Sequence, residues 1–238
     1  MRIALIGYGK MGKMVKEVAL QRGHDIVLTI DKDNEADFTP QHMAAAEVAI
    51  EFTAPGSAFQ NVKSCLEFGV PVVSGSTGWN VQLEMAKNLC LKKGGSFLHA
   101  SNFSIGVNIF FTINTRLAQL MGSQPEYDVQ VKEIHHTHKL DKPSGTAVTL
   151  AEGILEHNPK KVAWTIEKVS DPAKLVITCE RIDPAPGTHT VTYTSPIDTI
   201  EITHTAHNRR GFAHGAVLAA EYIHSRKGVF SMKDVLGL

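Results

Sequence analysis

Residues 1–12 read M-R-I-A-L-I-G-Y-G-K-M-G. Arg2–Ile6 is a short apolar run ending at a glycine, which predicts a buried strand. Met11, Met14, Val15, Val18 and Ala19 then recur at helical spacing. Between them Gly7-Tyr8-Gly9-Lys10-Met11-Gly12 has the form G-x-G-x-x-G, placed between a strand and a helix. One glycine permits the tight turn, one lets a pyrophosphate approach the backbone, and one lets helix and strand pack closely. The helix start adds N–H groups and partial positive charge for phosphates. Asp31 lies nineteen positions past Gly12, at the tip of the next strand. There a carboxylate can accept hydrogen bonds from an adenosine ribose. Lys32 beside it attracts a 2′-phosphate that Asp31 repels, so NADH and NADPH both remain open.

Outward from this loop, strand and helix signals alternate. Asp25–Ile30, Val48–Phe52, Val70–Ser74 and Ser96–Ala100 read as strands, with helices over 57–68 and 80–92. This β-α-β-α rhythm predicts a Rossmann-type, doubly wound parallel sheet in an α/β protein. After residue 104 the rhythm changes. A helix over Ile105–Leu120 precedes strand-like runs at Tyr127–His135, Trp164–Val169, Leu175–Ile182, Thr188–Thr194 and Thr199–His204, with a helix near 145–157 among them. The block predicts a second, α+β domain on an open mixed or antiparallel sheet. The Ala-rich helix over Gly211–Ser225 is expected to return to the first domain. The expected division is therefore 1–103 with 206–238 for the dinucleotide, and 104–205 for substrate binding and oligomerisation.

Composition narrows the function. The chain has 238 residues, with 24 Lys+Arg against 24 Asp+Glu. That balance gives no field to recruit nucleic acid or an anionic membrane. No apolar run is long enough to span a bilayer. The first residues enter a strand without a signal-peptide pattern, and three cysteines lack metal-ligand spacing, so a cytoplasmic, reducing location is expected. Phe52-Thr53 and Gly75-Ser76-Thr77 follow predicted strands and would line the carboxyl edge of the sheet, where open α/β sheets bind ligands.

Most of the 12 histidines fall between residues 135 and 224. The densest stretch, E-I-H-H-T-H-K-L-D-K-P-S-G-T-A, occupies 133–147. Neighbours on a strand face opposite ways, so His135 and His136 cannot chelate one ion. With no H-E-x-x-H and no nearby cysteines, no metal site is expected. Acid–base work by histidine, tuned by the cation of Lys139, is the reading that fits. Pro143 leads into Ser144, Gly145 and Thr146, a helix start suited to a carboxylate. Glu133 and Asp141 are read as structural partners of these cations.

The segment 133–147, with V-S-G-S-T-G-W (73–79), S-N-F-S-I-G-V-N (101–108), I-E-I-T-H (200–204), F-A-H-G-A (212–216) and F-S-M-K-D-V-L (230–236), resembles the dihydrodipicolinate reductase family of lysine and diaminopimelate biosynthesis. The similarity runs along nearly the whole chain. It implies an NADH- or NADPH-dependent reduction of a cyclic imine dicarboxylate to tetrahydrodipicolinate. It further implies His135 as proton donor/acceptor, Lys139 as second proton donor, His136 against substrate, and Gly145-Thr146 on a substrate carboxylate. Gly75, Ser76, Thr77, Ala100, Ser101, Asn102 and Phe103 would lie against the nicotinamide half of the cofactor, and the assembly would be a homotetramer built through sheets of the second domain. Two departures stand out. The family loop is commonly one residue longer, with Arg near Lys10, and the span from Asp31 to Val48 is short. His138 receives no role. An aspartate- or homoserine-linked dehydrogenase would need a nucleophilic Cys or another Lys/Asp pattern. A nucleotide-sensing regulator would have no use for the cluster at 135–146.

Overall fold

A computed structural model describes residues 1–238. In chain order the elements are β1 (Arg2–Ile6), α1 (Lys10–Gln21), β2 (Asp25–Ile30), a 3-10 segment (Lys32–Asp37), α2 (Pro40–Met43), β3 (Val48–Glu51), α3 (Pro55–Glu67), β4 (Val72–Ser74), a 3-10 turn (Asn80–Gln82), α4 (Leu83–Lys93), β5 (Ser96–His99), α5 (Ile105–Met121), β6 (Asp128–His135), α6 (Gly145–Leu155), β7 (Ala163–Thr165), β8 (Lys174–Arg181), β9 (Thr188–Thr194), β10 (Thr199–Thr205), α7 (Arg210–Ile223), β11 (Gly228–Phe230) and α8 (Met232–Leu236). The chain divides into two compact units. Met1–Ile105 with Arg210–Leu238 forms one, and Gly106–Arg209 the other. No helix is long and apolar enough to cross a membrane.

The first unit is built on a six-stranded sheet in the order β11-β5-β4-β3-β1-β2. Every pairing in it is parallel. Alternation assigns each strand residue a face. Ile3, Leu5, Val48 and Ile50 turn toward α1 and α7, where Val15, Ala19, Ala216 and Ala220 are buried with them. Ala4, Ile6 and Ala49 turn the other way, toward Val62 and Cys65 of α3 and Ala86 and Cys90 of α4. Strands covered on both faces read as continuous apolar runs, which is why β1 shows no polar alternation. Pro55 opens α3, where its missing N–H costs nothing. The strand order reverses between β1 and β3, so the turns after these parallel strands flank the crevice where such sheets take ligands. β2 is the edge strand, and the short span after it holds only the 3-10 segment and α2. Its edge therefore carries no further strand.

The second unit carries a five-stranded mixed sheet, β10-β9-β6-β8-β7. β9 is antiparallel to β10 and β6, while β8 is parallel to β6 and β7. Val129, Val131, Leu175, Ile177, Val191 and Tyr193 face one side, buried against Phe110 and Ala118 of α5 and Leu150, Ala151 and Ile154 of α6. The opposite side presents Gln130, Lys132, Thr178, Thr190, Thr192 and Glu201, with no helix over it. The strand expected over 164–169 ends at Thr165. Beyond it Glu167 N donates to Thr165 Oγ1 at 3.1 Å and Ala173 N to Asp171 Oδ1 at 2.9 Å. These local bonds turn the chain out of the ladder. α2, β11 and α8 are too short for periodicity to have announced them.

Candidate active site

The turn between β1 and α1 gives each glycine of the loop a separate task. Gly7 has φ +92°, and a Cβ there would lie 2.0 Å from the Phe52 carbonyl oxygen. A Cβ on Gly12 would lie 2.1 Å from the Gly7 carbonyl oxygen. Gly9 faces open space, with nothing within 4 Å of where its Cβ would be. The first helical bond, Lys13 N to Gly9 O, is 3.0 Å long. The N–H groups of Lys10, Met11 and Gly12 precede it, at the end of the helix that attracts anions. The loop thus has turn, packing contact and bare backbone in the places a dinucleotide phosphate requires. Tyr8 is flanked by Lys13 and Lys16, whose ammonium groups lie 5.9 and 5.4 Å from its ring centre.

The other sequence-derived cofactor residues follow the carboxyl ends of the same sheet: Asp31-Lys32 after β2, Phe52-Thr53 after β3, Gly75-Ser76-Thr77 after β4, and Ala100-Ser101-Asn102-Phe103 after β5. Two of these side chains point inward. Phe103 is buried in the core, and the Ser76 hydroxyl donates to Glu51 Oε1 at 2.7 Å. Asp31 accepts from Lys32 N at 2.9 Å, capping the 3-10 segment.

Glu51 is a residue that sequence reasoning passed over. It is fully buried at the end of β3. Its carboxylate accepts from Thr53 N at 2.9 Å, from the Thr53 hydroxyl, from Ser74 Oγ at 2.5 Å and from Ser76 Oγ. An acid ending an otherwise apolar strand, V-A-I-E, was the available signal, since a buried carboxylate must be matched by donors. Glu51 ties the turns after β3 and β4 together.

In the second unit, β6 ends at His135 and delivers Glu133 and His135 to one face, two residues apart. Glu133 is fully buried. Arg181 Nη1 reaches Glu133 Oε1 at 3.2 Å, and Ser144 N donates to Glu133 Oε2 at 3.0 Å. Burial pulls the Glu133 carboxyl upward, but the bonds from Ser144 and the nearby His135 outweigh it and hold it below the usual range. His135 Nδ1 stands 3.6 Å from Glu133 Oε2. Burial lowers the His135 pKa, the Glu133 charge opposes that, and the cations of Lys139 and Arg181 add to it.

Ser144 caps α6, accepting from Ala147 N at 3.2 Å. Gly145 and Thr146 follow as the first helical residues, and a Cβ on Gly145 would meet nothing within 4 Å. Lys139 Nζ pairs with Asp141 Oδ1 at 2.8 Å, a contact that holds the Asp141 carboxyl below its ordinary range against the pull of burial. Glu133 and Asp141 therefore take the charge-partner places the sequence suggested. The His136 ring sits with His138, 6.2 Å between centres.

Two further residues enter from strands distant in sequence. Arg181, beside His135 in the parallel ladder, also donates to the backbone carbonyls of Asp141 and Lys139, at 2.7 and 3.4 Å. His189, opposite Glu133 on β9, places Nε2 3.0 Å from Ser144 Oγ. Glu133, His135 and His189 thereby form a group of three potential metal ligands, all within 4.8 Å of one another. The alternation of His135 and His136 could not reveal it, because the third member comes from another strand.

Comparison with known proteins identifies the family. The family "Dihydrodipicolinate reductase, N-terminus" matches residues 1–103, and "Dihydrodipicolinate reductase, C-terminus" matches 106–236. A 4-hydroxy-tetrahydrodipicolinate reductase of Christiangramia forsetii is 48% identical, over 99% of this chain and 98% of that protein. One of Neisseria meningitidis serogroup B is 34% identical, over 82% and 74%. Among solved structures, a dipicolinate-bound dihydrodipicolinate reductase from Paenisporosarcina sp. TG-14 overlays with TM-score 0.78, covering 97% of each chain at 22% identity, a likeness of fold. With both halves matched and a relative nearly half identical along its length, the chain belongs to the dihydrodipicolinate reductase family.

Proposed function

We propose that the chain is a 4-hydroxy-tetrahydrodipicolinate reductase, reducing a cyclic imine dicarboxylate to tetrahydrodipicolinate with NADH or NADPH. The observation that carries this is the β6–α6 segment. It presents a buried imidazole, a lysine and a capped helix start within twelve residues, so a proton source and an anion cradle are parts of one piece of backbone. Asp31 and the Gly7–Gly12 loop would hold the adenosine and pyrophosphate of the cofactor. Thr53, the Gly75–Thr77 turn and the Ala100–Phe103 stretch would hold its nicotinamide half. When bound, the cofactor supplies a hydride.

The remaining steps belong to the chain's own residues. Gly145 and Thr146 bind one substrate carboxylate at the start of α6, with Lys139 and His136 completing the contact. His135 donates the proton, and the substrate's hydroxyl leaves as water. The His135 imidazole is biased toward the neutral form before substrate arrives, and a bound dianion favours the imidazolium. The acid is thus loaded when there is something to protonate. Glu133 keeps the ring oriented and balances its charge.

A homotetramer assembled through the uncovered face of the second unit's sheet is supported by that face, where threonines and paired charges replace the apolar residues of the opposite side. A cytoplasmic location agrees with the three unpaired thiols.

The deciding experiment is an assay with freshly generated 4-hydroxy-tetrahydrodipicolinate, following oxidation of NADH and of NADPH separately. Turnover with at least one is expected. Binding of both nicotinamides without turnover would overturn the reading in favour of a nucleotide sensor.

A further inference from the structure

His189 has no part in the reaction as described, yet it is among the most deeply set polar residues of the second unit, 5% exposed. Its surroundings are specific. Nε2 lies 3.0 Å from Ser144 Oγ and 3.8 Å from Glu133 Oε2, and its ring stands edge-on to His135 with 5.0 Å between centres. Nδ1 is buried and meets no partner.

The unmatched Nδ1 favours one tautomer. A serine hydroxyl has one hydrogen to give and two lone pairs. Ser144 Oγ accepts from Ala147 N, and Ser144 N donates to Glu133 Oε2 at 3.0 Å. Because Nδ1 meets no partner, the tautomer with its proton on Nε2, donating to Ser144 Oγ, is the one that buries no orphaned N–H. Nδ1 is left as a bare lone pair, the less costly way to bury an unmatched ring atom, since orphaned N–H groups are the rarer case.

We propose that His189 is a positioning residue. As a neutral Nε2–H donor it holds Ser144 on Glu133, Glu133 orients His135, and the proton donor is thereby fixed to the helix start that binds the substrate carboxylate. The groups facing His189 are Glu133 and His135 from β6, His204 from β10 and Lys139 from the loop. Burial, reinforced by His135, pushes its pKa down to about 4. Two imidazoles this close do not both take a proton readily.

This rests on the functional reading above, and the test separates the two. Wild type, His189→Ala and His189→Gln would be compared for kcat, KM, the pH profile of kcat, and affinity for pyridine-2,6-dicarboxylate and NADH. Gln carries an N–H near the place of Nε2. His189→Ala is expected to lower kcat and raise the dissociation constant for pyridine-2,6-dicarboxylate, together by roughly 10–100-fold. NADH affinity should stay unchanged, and Gln should restore most of the loss. Wild-type kcat and dicarboxylate affinity in a folded His189→Ala would overturn the proposal. Ring-nitrogen NMR of the wild type supplies a check that needs no variant. His189 should remain neutral and protonated at Nε2 from pH 5 to 8 (a range set by the pKa of about 4), and an Nδ1-protonated ring overturns the proposal. If the wild type shows no turnover with either nicotinamide, it is the functional reading that fails, while the NMR and dicarboxylate measurements still decide the role of His189.

Discussion

At the scale of single residues, the proposed acid His135 is the first position to test. His135→Gln should leave the fold intact and lower kcat by about 10²–10⁴, the usual worth of a positioned acid. The pH profile gives a sharper signature. kcat/KM reports the free enzyme, where burial and the cations of Lys139 and Arg181 depress the His135 pKa. Its limb at rising pH should therefore fall below the ordinary histidine value, and the limb of kcat, which reports the dianion-bound enzyme, should lie at higher pH. Coincident limbs would show that bound substrate does not load the acid. His189 makes a separate mark on stability. Its folded pKa of about 4 lies below the ordinary 6.5, so the unfolded chain takes up a proton first as pH falls. Stability is fully present above about 6.5 and declines toward pH 4, by on the order of 3 kcal/mol from this group. Denaturant titrations across that window should show the decline, and His189→Gln should flatten it. The sequence showed His135, Lys139 and the Ser144–Thr146 cradle because they lie on one short segment. It hid Arg181 and His189 because their place depends on which strands pair and in what register, and those contacts span 48 and 45 residues.

Elements make the next level of prediction. The glycine loop separates two roles that a single motif conceals. Gly9→Ala points a methyl into open space, at a φ of −73° that alanine accepts. Folding stability should change by no more than about 0.5 kcal/mol, while NADH binding weakens roughly 10-fold or more through lost backbone approach. Gly12→Ala drives the methyl against the Gly7 carbonyl and should destabilise by about 1–3 kcal/mol. Thermal melts and fluorescence titration of NADH would distinguish the two, and equal effects on both would refute the division. Long elements were legible: β2 and β9 run over the residues that patterning indicated, because six or seven alternating or apolar positions leave little choice. Short ones were not. β11 has three residues and depends on pairing with β5 for its existence. Glu51 was hidden for a related reason. A buried carboxylate in a strand looks like a pattern error until Thr53, Ser74 and Ser76 are seen converging on it.

For the molecule as a whole, the uncovered side of the second unit's sheet makes assembly a matter of measurement. Light scattering during size-exclusion chromatography should give four times the 25.9 kDa chain mass. Charge reversal at Lys132 and Glu201 should lower that mass while leaving NADH affinity in place, and a monomeric wild type would exclude the tetramer. The late return of the chain has a consequence during synthesis. One face of the first sheet is closed by α7, and its edge by β11, both supplied by the last twenty-nine residues. On a ribosome these residues are made only after Gly106–Arg209. Until they emerge, Ile3, Leu5, Val48 and Ile50 have α1 but lack half of their cover. The first unit therefore finishes folding after the second has emerged, although domains commonly fold in order of synthesis. A nascent chain halted at residue 209 should bind trigger-type chaperones through the first unit and stay protease-sensitive there while Gly106–Arg209 resists.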